Sequence, residues 1–265
     1  MKFGINNPAF LQEAGSAGKT VRLFYITSNA DGNDVMFVNT KLGAFADNVQ
    51  YSTDEAQTWE QLTADTVITL DEGQTIYLRN YTGQVYSLAM STKVVETSDA
   101  YSIGGDITAL FYPRVKQLPA YAFKEAFSGD ENLQDASALI LKATALAESC
   151  YSYMFSGCTS LTASPELPAT SLAEYCYNSM FSGCTSLTAA PELPATSLAE
   201  SCYNSMFYGC TSLTAITCLA TSGIESATGY WLGSVSDTGT FTKTAGAEWQ
   251  SGVSGIPKGW TVVEQ

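Results

Sequence analysis

Apolar and polar positions follow different rhythms in the two halves of the chain. From Thr20 to about Tyr112 the apolar residues come in short runs rich in β-branched and aromatic side chains: T-V-R-L-F-Y-I-T, D-V-M-F-V, V-Q-Y-S-T, T-V-I-T-L and T-I-Y-L-R. Turn formers such as Asp31-Gly32-Asn33 and Asp71-Glu72-Gly73 separate them. This half therefore predicts many short strands with close turns, a small β-sandwich. T-V-I-T-L-D-E-G-Q-T-I-Y-L-R predicts a hairpin bent at Gly73. Residues 1–18 show little periodicity and predict an arm or linker.

From about Leu118 the apolar step lengthens to four. Leu172, Cys176, Met180 and Cys184 recur at that step with Tyr177 and Phe181 beside them, which predicts a helical stripe. Ser171 to Glu174 and Ser197 to Glu200 match capping boxes, and Gly183 and Gly209 fall where such helices would end. L-T-A-A-P-E-L supplies a short extended piece. The whole pattern then repeats. Cys150, Cys176 and Cys202 each open a unit C-Y-x-x-M-F-x-G-C-T-S-L-T, with a period of 26 residues. An earlier unit, A-F-K-E-A-F-S-G-D-E-N-L, carries Ala122 and Asp130 at the cysteine positions and lies 28 residues before the next.

A strand, a turn and a helix per unit predict a stacked, curved solenoid with its strands on the concave side. After Cys218 the pattern stops, and the stretch holding Trp231, Trp249 and Trp260 is expected to cap the last apolar edge. The expected fold class is α+β. The expected divisions are an N-terminal arm (1–18), a β-rich, sandwich-like domain (19–115), a repeat solenoid (116–217) and a C-terminal cap (218–265). Because each unit leans only on its neighbours, the β-rich domain is expected to melt separately.

Charge narrows the partners. The 265 residues carry 12 basic and 26 acidic side chains, a formal net charge of −14, and no Lys or Arg lies between Ala143 and Thr242. A phosphate backbone or an anionic lipid surface would be repelled there, so neither nucleic acid nor membrane insertion is expected. No apolar run is long enough to span a membrane, and the N-terminus lacks one of signal-peptide length. The chain is thus expected to reach its site without such a signal, or to have lost one. The seven cysteines sit on the apolar stripe and read as buried free thiols. There is no His and no C-x-x-C, which argues against a metal site.

These repeats, with the closing G-T-F through S-G-I-P-K-G-W-T-V, resemble the BspA-like leucine-rich repeat proteins of gut Bacteroidetes over roughly residues 118–265. The resemblance implies a leucine-rich repeat solenoid and surface display with adhesion to host or microbial ligands. It brings no catalytic residues. Similar repeats also suit tail, fibre and decoration proteins of phages infecting those bacteria. The expected role is a non-enzymatic binding protein, on a phage virion attached through the N-terminal region, or alternatively on a bacterial surface as a secreted adhesin. The expected ligand is a protein or a glycan.

Candidate chemistry is sparse. Gly15 to Thr20 resembles the end of a phosphate-binding loop, but Glu13 stands where its first glycine belongs. Without His no Ser-His or Cys-His nucleophile can form. Glu166 and Glu192, like Glu174 and Glu200, recur 26 residues apart and so form surface rows rather than a converging acid and base. The Glu166 row offers its carboxylates to solvent or to a calcium ion. No catalytic, cofactor-binding or metal-ligating set is expected. Equivalent positions of the units differ mainly in Tyr, Ser and Asn, the residues of an adaptable recognition surface or of drift on a solvated face. Tyr153, Tyr175 and Tyr208 are the candidate ligand contacts.

Overall fold

The computed structural model describes residues 10–12, 20–37, 48–63, 66–83, 85, 94–112 and 117–265, with the backbone alone at 10–12 and 20–22. In chain order the strands are β1 (Phe10–Gln12), β2 (Thr20–Arg22), β3 (Phe24–Ser28), β4 (Asn33–Met36), β5 (Val49–Ser52), β6 (Glu60–Gln61), β7 (Val67–Leu70), β8 (Thr75–Asn80), β9 (Glu96–Thr97) and β10 (Tyr101–Gly105). The helix α1 (Ile107–Phe111) and β11 (Leu133–Leu139) follow, then β12 (Ala215–Cys218), the helix α2 (Ile224–Ala227), β13 (Thr240–Lys243) and β14 (Thr261–Glu264). Each of the five β-like runs of the N-terminal half carries a strand. β1 pairs antiparallel with β2, so part of the expected arm is a hairpin strand. The remainder of the arm, with Gly15, lies outside the described residues.

Two sheets enclose the N-terminal core. One has the order β11-β10-β3-β8-β5-β6 and the other β7-β4-β9. Alternation sorts the side chains: Phe24 and Ile26 of β3, Ile76 and Leu78 of β8, Val35 of β4 and Leu70 of β7 are buried in one cluster. Tyr25 and Tyr77 point to the other face, where their rings lie 6.0 Å apart. The expected hairpin at Gly73 is not formed. β7 pairs with β4 while β8 pairs with β3 and β5, so the turn at Gly73 (φ +81°) carries the chain between sheets. The tight connection was legible in the sequence; the partner was not, because both flanking strands have an apolar face that either sheet can bury.

The repeats depart from expectation more deeply. Helix among the described residues is confined to α1 and α2, five and four residues long, and neither lies in a repeat unit. The protein is mostly sheet and turn. The α+β class and the leucine-rich repeat solenoid of strand, turn and helix are therefore incorrect, as are the capping boxes at Ser171 and Ser197. Each stretch expected to be helical is instead a run of consecutive β-turns. In the unit of Ser149 to Cys158, the amides of Ser152, Met154, Ser156 and Cys158 donate to carbonyls three residues back. The amides between them donate to the next unit: Ser149 to Glu174, Tyr151 to Cys176, Tyr153 to Asn178, Phe155 to Met180 and Gly157 to Ser182. The alternation repeats at 121–130, 175–184 and 201–210, the last donating to 226–233. The units thus lie in register as layers, five hydrogen bonds per junction.

Every fourth residue turns left-handed to allow this. Ser149 (φ +52°), Tyr153 (+58°) and Gly157 (+77°) have counterparts at Tyr175, Ser179 and Gly183 and at Ser201, Ser205 and Gly209. Each is the third residue of a turn closed three residues apart, where a positive φ is the type II geometry. A left-handed non-glycine residue costs about 1–2 kcal/mol, and the inter-layer hydrogen bonds offset that cost. A step of four in turns buries the same residues as a helical step of 3.6, so Cys150, Tyr151, Met154, Phe155 and Cys158 all reach the core. Periodicity alone could not separate the two structures.

The extended segments obey a second rule. Two of the four repeat units carry true strands, β11 and β12, and these are the units whose sequences lack proline at this place (L-Q-D-A-S-A-L and A-I-T-C). The A-S-P-E-L-P segment makes one isolated parallel bridge, Asp135 with Ala163, and A-A-P-E-L-P makes two, Ala189 with Ala215 and Leu193 with Cys218. Proline has no N–H to give, so Pro165, Pro168, Pro191 and Pro194 interrupt the ladder.

Rings and thiols fill the layers. Phe127, Phe155, Phe181 and Phe207 stack at 5.5, 5.5 and 5.6 Å within 5° of parallel. A second ladder runs from Phe123 through Tyr151, Tyr177 and Tyr203 to Trp231 and Trp249, at 5.3–6.2 Å between centroids. Cys158, Cys184 and Cys210 each donate a thiol hydrogen bond to the carbonyl of Phe127, Phe155 and Phe181.

The expected boundary at 115/116 is bridged. β10 pairs in parallel with β11, which belongs to the first layer, so the large sheet runs into the repeats. Asp130, in the position of the thiols, accepts a buried hydrogen bond from the Tyr101 hydroxyl (2.8 Å). Lys142 pairs with buried Asp106, the N-cap of α1, at 2.8 Å. Phe181→Ala leaves a hole between two stacked rings and is expected to cost about 3–5 kcal/mol. Because sheet and core are shared across the junction, thermal unfolding followed by far-ultraviolet circular dichroism and by tryptophan fluorescence is expected to give one coincident transition in both proteins, lower in the variant. Two resolved transitions would show that the halves unfold independently.

Candidate functional site

Each layer presents one exposed tyrosine on the outer surface of its turn run. Tyr121, Tyr153, Tyr175, Tyr208 and Tyr230 belong to successive layers and are 38, 38, 38, 47 and 64% exposed. With a rise near the ~4.8 Å of paired strands, the five rings mark a strip of roughly 20 Å along the stack. Four of the five tyrosines have positive φ, from +52° to +61°, which turns the side chain away from the apolar interior that its neighbours fill.

Three of the rings have neighbours that hold them. The Tyr121 hydroxyl donates to Glu148 Oε1 at 2.8 Å, and that hydrogen bond with the carboxylate charge raises the phenol above its ordinary pKa. The Lys124 ammonium lies 5.9 Å from the ring centres of both Tyr121 and Tyr153 and 3.7 Å from Glu125, a cation–π bridge between the first two layers. Tyr208 lies against Gly233, where a Cβ would come within 2.7 Å of the ring. Serine and asparagine surround the rings: Asn178 Nδ2 donates to Asn204 Oδ1 at 3.3 Å, and Ser182 Oγ to the Tyr208 carbonyl at 3.3 Å.

All three tyrosines singled out by comparing units, Tyr153, Tyr175 and Tyr208, are exposed on this face. Tyr121 and Tyr230 escaped that comparison because they lie in the irregular first and last layers. The hydrogen-bond register puts Tyr230 at the position of Ser205, whose amide donates to the Gly229 carbonyl, whereas matching T-G-Y-W-L-G-S to N-S-M-F-Y-G-C in the sequence sets it opposite Met206. The residues with side chains varying between units also include Ser149 and Ser179, which are buried and so lie beneath the surface.

The remaining candidates do not converge. Glu166 and Glu192 are exposed along a groove of about 680 Å3 that they share with Pro165, Pro168, Pro191 and Pro194. No group of three or more acidic, cysteine or histidine side chains is placed to hold a metal ion among the described residues. Glu174 and Glu200 are exposed and cap no helix. No helix of the described residues is long and apolar enough to cross a membrane. No protein-family model matches the chain, and no curated protein or solved structure matches it either.

The seven cysteines are free and buried. Burial pushes the thiols of Cys150, Cys202, Cys210 and Cys218 up to about 12, and raises those of Cys176 and Cys184 as well. A thiol held that high presents no thiolate near neutral pH. Titration of native protein with a disulfide reagent at pH 8 is expected to modify none of them promptly, and all seven after denaturation. Prompt reaction of any thiol in the native state would contradict their burial.

Proposed function

We propose that the protein is a non-enzymatic binding and adhesion protein whose ligand, a protein or a glycan, lies along the tyrosine strip. The observation that carries this reading is the regular exposure of one tyrosine ring per layer on a surface otherwise made of serine, asparagine and glutamate. A tyrosine offers a large, stiff, amphipathic contact with few rotamers to freeze, and hydroxyl and amide neighbours adapt to a partner's polar groups. Contacts repeated at each layer suit a repetitive or multivalent ligand, where individually weak sites add in avidity. The chain's acidity and the scarcity of basic side chains around the strip weigh against polyanions. The resemblance of the repeats to BspA-like surface proteins supports display on a phage particle or on a bacterial surface, with the N-terminal region as the attached part.

The test is the variant in which Tyr153, Tyr175 and Tyr208 all become Ser. Each ring is exposed, so the melting temperature is expected to stay within a few degrees. Binding to immobilised mucin and to isolated envelopes of gut Bacteroidetes, read by biolayer interferometry, is expected to fall at least about tenfold, roughly 1.4 kcal/mol. Equal binding by the variant and the wild type would move the ligand site away from this face.

A further inference from the structure

The inner ring ladder does not end in the core. Tyr151, Tyr177, Tyr203 and Trp231 are buried, but the last rung, Trp249, is partly exposed. Its ring lies 5.3 Å from Trp231 at 18° and meets Phe241 edge-on at 5.1 Å. Trp249 also lines a notch of about 660 Å3 with Ser222, Glu225, Ser226, Glu248 and Gln250. The notch exists because the stack stops. In the inner layers the same corner is closed by the layer above, as at the parallel bridges Ala145 to Ser171 and Ser197 to Ser222. Beyond Ser222 the chain returns at Glu248–Gln250, tied to the last layer by the hydrogen bond from Gln250 Nε2 to Glu225 Oε1 and, further on, by the Ser254 and Gly255 carbonyls, which accept from Thr228 Oγ1 and Trp231 Nε1.

We infer that this notch is a binding site for a neutral saccharide unit, separate from the tyrosine strip. The chemistry of the wall points there. A pyranose ring has an apolar C–H face and a hydroxyl rim. Trp249 offers an aromatic surface fixed by two neighbouring rings, so little freedom is lost when a flat ligand packs on it. The carboxylates of Glu225 and Glu248 accept hydrogen bonds, the Gln250 amide both donates and accepts, and the exposed Ser222 hydroxyl does either. The indole N–H of Trp249 is buried and has no acceptor among the described residues. No basic side chain lines the notch, so phosphorylated, sulfated or uronic sugars would meet only negative charge. The volume falls within the ~300–1,000 Å3 of small-ligand sites.

The experiment titrates the full chain with a panel of neutral mono- and disaccharides, using choline and sialic acid as charged controls, while the Trp249 indole resonance and tryptophan fluorescence are followed. At least one neutral saccharide is expected to give a saturable change. Its affinity is expected to fall about tenfold or more in Gln250→Ala and in Glu225→Gln, both at exposed side chains, with the melting temperature held. The Tyr153, Tyr175 and Tyr208 triple variant is expected to bind the saccharide as the wild type does, which keeps this site distinct from the strip. Absence of a saturable response to every neutral sugar, saturation by choline instead, or undiminished binding in Gln250→Ala would each overturn the proposal.

Discussion

Every second amide of the turn runs gives its proton to the layer above, and the rest of the repeat architecture depends on that choice. An amide that reaches out of its own unit cannot close a helical turn, so the chain must fold back every few residues to satisfy the others locally. The left-handed residues at four-residue intervals are the consequence. Alternation also leaves no backbone group of the run idle: five amides bond upward and the intervening ones bond inside their own turn. Since buried amides are costly when unpaired, each layer is stable only where another lies in register above it. That need for register explains why the sequence repeats so closely.

Register places like on like. The phenylalanine ladder stays within 5° of parallel over four layers, and the three thiols hydrogen-bond to the same carbonyl of the preceding layer. The ends of the stack need different chemistry. At the first layer the thiol position holds Asp130, which accepts from Tyr101 of the neighbouring sheet, while β11 pairs with β10. At the last, the aromatic ladder passes from tyrosine to Trp231 and Trp249, and β12, β13 and β14 close the extended row as a parallel sheet. The two candidate ligand surfaces follow from the same geometry. Four of the strip's five rings stand at left-handed positions, and the notch is the corner that no further layer covers.

Much of this was legible in the sequence, and the gaps have physical causes. The β-like runs of the N-terminal half, the stacking of the repeats and the burial of Tyr177 and the cysteines follow from composition and period. The helical reading failed because Leu172, Cys176, Met180 and Cys184 are equally spaced for a helix and for a run of turns. A positive φ announces itself only when glycine adopts it, as at Gly157 and Gly183, and not at Ser149 or Tyr153. The prolines were visible, yet their meaning, which layers carry strands, needs the neighbouring layer's hydrogen bonds. The partner of β7 and the pairing of β10 with β11 depend on contacts distant in sequence, which local pattern does not record. For the candidate face, comparing regular units found three of five tyrosines and missed the two in the irregular end layers.

These amides bond between layers and not along a helix. Scalar couplings transmitted through hydrogen bonds, measured on deuterated, isotope-labelled protein, report donor and acceptor directly. Couplings are expected from the amide nitrogen of Tyr151 to the carbonyl carbon of Cys176, and from Phe155 to Met180 and Phe181 to Met206. Couplings from those nitrogens to carbonyls four residues earlier in the chain would contradict this bonding and restore the helix.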